Sequence, residues 1–325
     1  MKFPDATKEF FAARRVKKDS PHTTAAYRRD LDAIAALVAD ASAIGVDELP
    51  VDQFTARTLR AAFGTFADTH AKASIGRCWS TWNQFLNFLV GEGALAGNAM
   101  AAVGRPRESK RAPKPLVGEQ TPETLLRSAA VARTNARNPW PERDVAVLAT
   151  LLVTGIRSTE LLSLQCGSLS GRSGEQRLHV LGKGDKPRSV PVEDSLVALI
   201  DSYLATRKAR FPSWRRSPRS PLFVDLHGEP LRRGGLRYLV DTAMRQAGVG
   251  DQRHPGALVH AMRHTFATRL AEDGASATEI MKLLGHASLN TSQVYIDATA
   301  VERRLSASAN RTYGVVRTLG SGAQE

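Results

Sequence analysis

The chain has 325 residues, 42% hydrophobic and 24% charged, with a formal net charge of +13. That length allows two domains with sizeable cores, and the composition excludes a disordered or fibrous chain. The basic surplus favours a polyanionic partner such as nucleic acid.

In chain order, the opening MKFPDATKEFFAARR lacks an apolar core ahead of a small-residue cleavage site, so no signal peptide is expected. A short helix is expected near Phe10. Tyr27, Leu31, Ile34 and Val38 recur at helical spacing, as do Leu59, Phe63 and Phe66, and then Ile75, Trp79, Trp82, Leu86 and Leu89 before Gly91 and Gly93. These patterns predict an all-helical unit of about four helices over residues 1–103, with its Trp and Phe residues in the core. Residues 104–115, GRPRESKRAPKP, carry three prolines and five basic residues without apolar periodicity. They read as a basic linker, either a solvated connector or a strap along a phosphate backbone.

The second domain, residues 116–301, opens with helical text over 122–132 and 142–154, with Gly155 as the stop. The longest apolar run, Val145 to Ile156, is too short to span a bilayer, so no membrane partner is expected and a cytoplasmic, soluble protein is. Cys78 and Cys166, far apart and in no CxxC pair, fit buried free thiols in a reducing compartment. Arg157 follows Gly155 in a turn, and Glu160 to Leu164 begin the next helix. The period then changes to that of strands: Arg177–Leu181 and Ser189–Val192 flank Gly182-Lys183-Gly184-Asp185, a hairpin with Lys183 at its tip. Helical text resumes at Asp194–Lys208 and again at Leu231–Gln246, where Arg232, Arg233 and Arg237 give a basic face. His260 and Arg263, three apart, project from one face of a helix that Gly274 ends. Ser276 and Glu279 have capping-box spacing for a helix through Ile280, Leu283 and Leu284. Gly285 closes it, leaving His286 just beyond its end, and Asn290 with Gln293 suggests a further short helix carrying Tyr295. Residues 302–325 form a weakly patterned C-terminal tail.

Arg157, Lys183, His260, Arg263, His286 and Tyr295 each fall at a turn or a helix end, where side chains can converge. Such a set suits phosphoryl transfer with no metal and no cofactor. Two guanidiniums can fork onto the non-bridging oxygens of a phosphodiester. A tyrosine hydroxyl can attack phosphorus and store the bond energy as phosphotyrosine. A neutral imidazole such as His260 can accept the phenol proton, and a lysine can protonate the leaving alkoxide. A zinc helix is the rival for His260 and His264, which stand four apart; their motif, HAMRH, lacks the glutamate of HExxH and puts Arg263 beside the metal.

The motifs TGIRSTELLSL, LGKGDKPRSVPV, HAMRHTFATRL and LLGHASLNTSQVYI, with the weaker TTAAYRRDL, resemble those of tyrosine recombinases of the integrase family, in a layout similar to Xer-type resolvases. The resemblance implies a mainly α protein: a SAM-like four-helix core DNA-binding domain, then a mixed α+β catalytic domain with a small antiparallel sheet, the tyrosine recombinase fold. It further implies that Arg157 and Arg263 bind the scissile phosphate and that Lys183 is the general acid. His260 would be the general acid/base, His286 would hydrogen-bond the phosphate, and Tyr295 would form the 3′-phosphotyrosine. The implied partner is double-stranded DNA, clamped by the two domains. A homo- or hetero-tetramer would synapse two sites, with the tail exchanged between protomers. The implied role is DNA integration or chromosome and plasmid dimer resolution. The alternatives are a catalytically silent accessory factor of the same fold and a monomeric type IB topoisomerase.

Overall fold

The structure, a computed structural model, describes residues 1–17, 19, 21–105, 114–118, 120–131, 138–182, 186–249, 255–286 and 288–297. Its contacts divide the chain into two units, Met1–Arg111 and Ala112–Glu325. Lys183 lies outside the described residues, as do 106–113 of the expected linker and the tail from residue 298. No described helix is long and apolar enough to cross a membrane.

The first unit holds α1 (Phe3–Arg14), α2 (Pro21–Ser42), α3 (Ala56–Thr69) and α4 (Lys72–Gly91). The periodic residues of each turn inward: Leu31, Ile34 and Val38 from α2, Leu59 and Phe63 from α3, Trp82 and Leu86 from α4 are all buried. One charge goes in with them. Asp30 on α2 receives Nε and Nη2 of Arg77 at 3.0 and 2.7 Å and the Thr81 hydroxyl at 3.1 Å, and its backbone carbonyl accepts Trp82 Nε1 at 3.0 Å. A carboxylate survives burial only when its lone pairs are used in this way, so Asp30 fixes the register of α2 against α4. Cys78 beside it is buried, and desolvation pushes its thiol up to about 12, which leaves it unreactive.

The second unit is built around α6 (Pro141–Thr154), which is buried on most of its circumference and packs against α5 (Thr121–Ala129), α8 (Asp194–Arg210) and α10 (Pro255–Glu272). A helix apolar almost all round has its place at the centre of a core. Between α7 (Ser158–Leu162) and α8 lies an antiparallel sheet of order β1-β2-β3: Leu169–Ser170, Arg177–Leu181 and Pro187–Pro191. Two features differ from the sequence reading. β1 is too short to show a period. β3 starts at Pro187, not Ser189: a proline argues against a strand interior, but β3 is an edge strand and needs no outward ladder donor at that position. Register pairs Val180 with Arg188 and His179 with Ser189, so Arg188 shares the inward face of the sheet.

After α9 (Arg233–Gln246) and α10 come α11 (Ala277–Leu284) and a helical segment over 289–297. The capping box opening α11 is present: Ser276 Oγ accepts Glu279 N–H at 3.2 Å, and the Glu279 carboxylate accepts Ser276 N–H at 2.7 Å. α6 and α11 each end on a left-handed glycine, Gly155 (φ 60°) and Gly285 (φ 64°). A Cβ on Gly155 would collide with the Phe266 ring and with Leu284 Cδ2. Gly155→Ala is therefore expected to cost about 1–2 kcal/mol for the left-handed backbone and a further ~1–3 kcal/mol for overpacking. A lowered urea midpoint is the measurement, and an unchanged midpoint would contradict this packing.

Candidate active site

The two glycine caps bring two helix ends together, and each end presents carbonyls that no intrahelical N–H can reach. Three guanidiniums take them. Arg263, on α10 and only 4% exposed, donates from Nη1 to Gly155 O and from Nη2 to Leu284 O, both at 2.7 Å. Arg157, at the N-cap of α7, donates from Nη1 to Leu284 O at 3.5 Å and from Nη2 to Gly285 O at 3.2 Å. Arg188, on β3, donates from Nε to Leu283 O at 2.9 Å. Arg157 and Arg263 thus meet at one oxygen, and cations at helix C-termini are favoured by the helix dipole.

Glu160 ties two of these arginines together. It is 3% exposed, accepts both Nη atoms of Arg188 at 2.8 and 2.7 Å, and accepts the backbone N–H and Nη1 of Arg157 at 2.7 and 3.0 Å. Burial alone would raise its pKa; the Arg188 fork and the Arg157 contacts outweigh it and hold the carboxyl down at about 2. Burial and the charge of Arg157 lower Arg263 to about 10, still cationic at neutral pH.

His286 follows the Gly285 cap, and its Nδ1 lies 2.8 Å from Ser292 Oγ, a buried hydroxyl on the 289–297 helix. Burial, then Arg263, Arg157 and Arg188, depress it to about 4, so the ring is neutral at physiological pH. His260, at the exposed edge of α10, is also held below the ordinary imidazole value, by partial desolvation and then by Arg263 and Arg157. Tyr295 is 4% exposed among Ala267, Ala271, Ile280 and Leu284. Its ring lies parallel to His286 with centroids 6.4 Å apart, and burial raises its pKa against the opposing charge of Arg263. The hydroxyl is 2.7 Å from His264 Nδ1, and the His264 ring stands edge-on to His260 at 4.4 Å.

Five of the six residues singled out from the sequence, Arg157, His260, Arg263, His286 and Tyr295, therefore lie in one basic cluster. Glu160, Arg188 and Ser292 were not singled out. Glu160 carried a signal, since it stands at the third helical position after Arg157, where its carboxylate can reach back to that residue's N–H. His264 was read only as half of a zinc helix. Among the described residues no group of three or more His, Cys, Asp or Glu side chains is arranged to hold a metal ion.

The family model described as the phage integrase family matches residues 122–302. The tyrosine recombinase XerC of Pelobacter propionicus is 33% identical over 85% of this chain and 84% of its own length. The tyrosine recombinase XerD of Staphylococcus haemolyticus is 29% identical over 88% and 90%. Among solved structures, the XerH recombinase bound to a palindromic difH substrate aligns with a TM-score of 0.72 at 18% identity, covering 93% of this chain and 84% of that one. A lambda integrase dimer bound to a COC' core site aligns at 0.66 and 18% identity, covering 91% and 77%, so the fold is shared with both. By its family match, its relatives and its fold, the chain belongs to the phage integrase family, as a tyrosine recombinase of the Xer type.

Proposed function

We propose that this chain cuts and rejoins duplex DNA at specific sites, with Tyr295 holding the DNA 3′ end between the two steps. The observation that carries this reading is the meeting of Arg157 and Arg263 at Leu284 O, in the same site as Tyr295. A phosphodiester there faces the spare N–H donors of both guanidiniums. Those forks neutralise charge as it builds on the non-bridging oxygens. With Ser292 donating to Nδ1 of His286, the Nε2–H of that neutral ring is left to donate to a phosphate oxygen. Lys183, which falls between β2 and β3 in the sequence, protonates the departing 5′ oxygen, and His260 serves as acid/base at the exposed rim.

The N-terminal helical domain, residues 1–103, binds the same duplex as the catalytic domain, and the basic 104–115 stretch contacts its backbone. The XerH and lambda integrase structures above are complexes with DNA, and a further lambda integrase structure is a tetramer on a Holliday junction. By analogy this protein works as a tetramer on two synapsed sites, with itself or a paralogue, in the cytoplasm. The residues after Tyr295 would be exchanged between protomers.

To test this, duplexes are selected from a random pool by binding to the purified protein, nicked near their centres, and incubated with it. The expected product is a covalent complex whose proteolysis leaves the nucleotide on Tyr295. A nucleotide mapped to any other residue would overturn the assignment.

A further inference from the structure

His260 is the imidazole that the sequence reading offers for the phenol proton, yet the imidazole at hydrogen-bond distance from the phenol is another one. His264 Nδ1 lies 2.7 Å from Tyr295 Oη. His264 stands one turn further along α10 than His260, on the same face, and its ring centroid is 5.7 Å from that of Tyr295. The ring of Tyr295 is fixed by burial among Ala267, Ala271, Ile280 and Leu284, so this contact is set by packing on both sides. Desolvation raises the phenol above its usual value, so it carries its proton at neutral pH, and in the Nε2–H tautomer of His264 the Nδ1 lone pair faces that proton.

We infer that His264 is a catalytic residue: its imidazole holds the Tyr295 hydroxyl and takes the proton as the oxygen attacks phosphorus. This rests on Tyr295 being the nucleophile. In the step, the Oη–H bond breaks and its proton passes to His264 Nδ1 while the Oη–P bond forms. The bond from phosphorus to the 5′ oxygen breaks, and that oxygen leaves with a proton from the general acid. On rejoining, the imidazolium returns its proton to the phenolate. The assignment divides the labour along α10: His264 serves the phenol and His260 the exposed rim, so the two histidines of the HAMRH motif have separate tasks.

The test measures single-turnover cleavage of the selected, nicked duplex by the full-length protein. His264→Ala and His264→Asn are each expected to slow adduct formation by about 100-fold, the low end of what a positioned general base contributes. Asn can keep a hydrogen bond to the phenol but cannot accept its proton, so a purely positional role predicts that Asn restores the rate. A second readout replaces Tyr295 with a fluorinated tyrosine whose phenol is more acidic. A weaker need for a base should speed both variants by about 10-fold or more while changing the parent little. Cleavage by His264→Asn within about threefold of the parent rate, or an equal fluorotyrosine effect in variant and parent, would overturn the inference. The parent reading fails separately: an adduct that persists in Tyr295→Phe removes the nucleophile assignment itself, whereas its loss there with normal cleavage by the His264 variants removes only the role of His264.

Discussion

Tyr295→Phe is expected to leave no covalent DNA adduct and no strand exchange, with the fold intact and the selected duplex still bound. Removing a covalent nucleophile costs an enzyme on the order of 10⁶ in rate, which places the variant below detection. The ring itself stays, and with it the packing against Ala267, Ala271, Ile280 and Leu284. The hydrogen bond to His264 Nδ1 goes, a loss of about 1 kcal/mol. The measurement pairs a denaturing gel for the adduct with a binding titration on the same preparation. An undiminished adduct at the same DNA 3′ end would remove Tyr295 from the chemistry, and lost binding would place its hydroxyl in the DNA contact.

Glu160→Ala should strongly destabilise the second unit. The carboxylate is 3% exposed and stands between Arg188, whose side chain is 11% exposed, and Arg157. Breaking a buried pair by deleting one partner costs about 3–5 kcal/mol, because the remaining cation is left without compensation. Glu160→Gln keeps the shape and part of the hydrogen bonding, so it should lose less. Acid should act on the same site in a definite direction. Glu160 titrates near 2 when folded against 4.5 when unfolded, so its contribution is complete above about 4.5 and is lost as pH falls towards 2. His286 titrates near 4 when folded against 6.5 when unfolded; between those values the unfolded chain binds the extra proton, so stability falls there too as pH is lowered. Urea midpoints should drop steadily from pH 7 to pH 4, and Glu160→Ala should flatten the curve below 4.5. A midpoint that rises on acidification across 6.5 to 4 would contradict the neutral, buried state of His286.

Much of the fold was legible because its helices carry clear periods. The faces of α2, α3 and α4 could be read from Leu31, Phe63 and Trp82, and the capping box of Ser276 and Glu279 located the start of α11 to the residue. What stayed hidden depends on pairing between distant segments. β1 is two residues long and gains its identity only from Leu178 and Arg177 opposite. Arg188 sits in the polar text Lys-Pro-Arg-Ser, where it reads as one more solvated charge; only the register with Val180 turns it inward to Glu160. In the site, Arg157 and Arg263 are 106 positions apart, and nothing in their local text says that both reach the carbonyl of Leu284. His264 was weighed only as one half of a rival zinc helix, which the missing glutamate argued against, and nothing in its local text says that its Nδ1 meets a phenol.

The arginines of the cluster are anchored mostly by main-chain oxygens, those of Gly155, Leu283, Leu284 and Gly285. Neutral anchors hold a cation in place without cancelling it. Among the described residues one carboxylate, that of Glu160, meets two of the three guanidiniums, while Arg263 is held by carbonyls alone, so positive charge is left over for an incoming anion. Exchanging the side chains of residues 283 and 284 leaves these anchors where they are, because the peptide backbone supplies them. An insertion or deletion that moved the last turn of α11 by one residue would rotate every one of its carbonyls by about 100°, and would dismantle the cluster without touching any arginine.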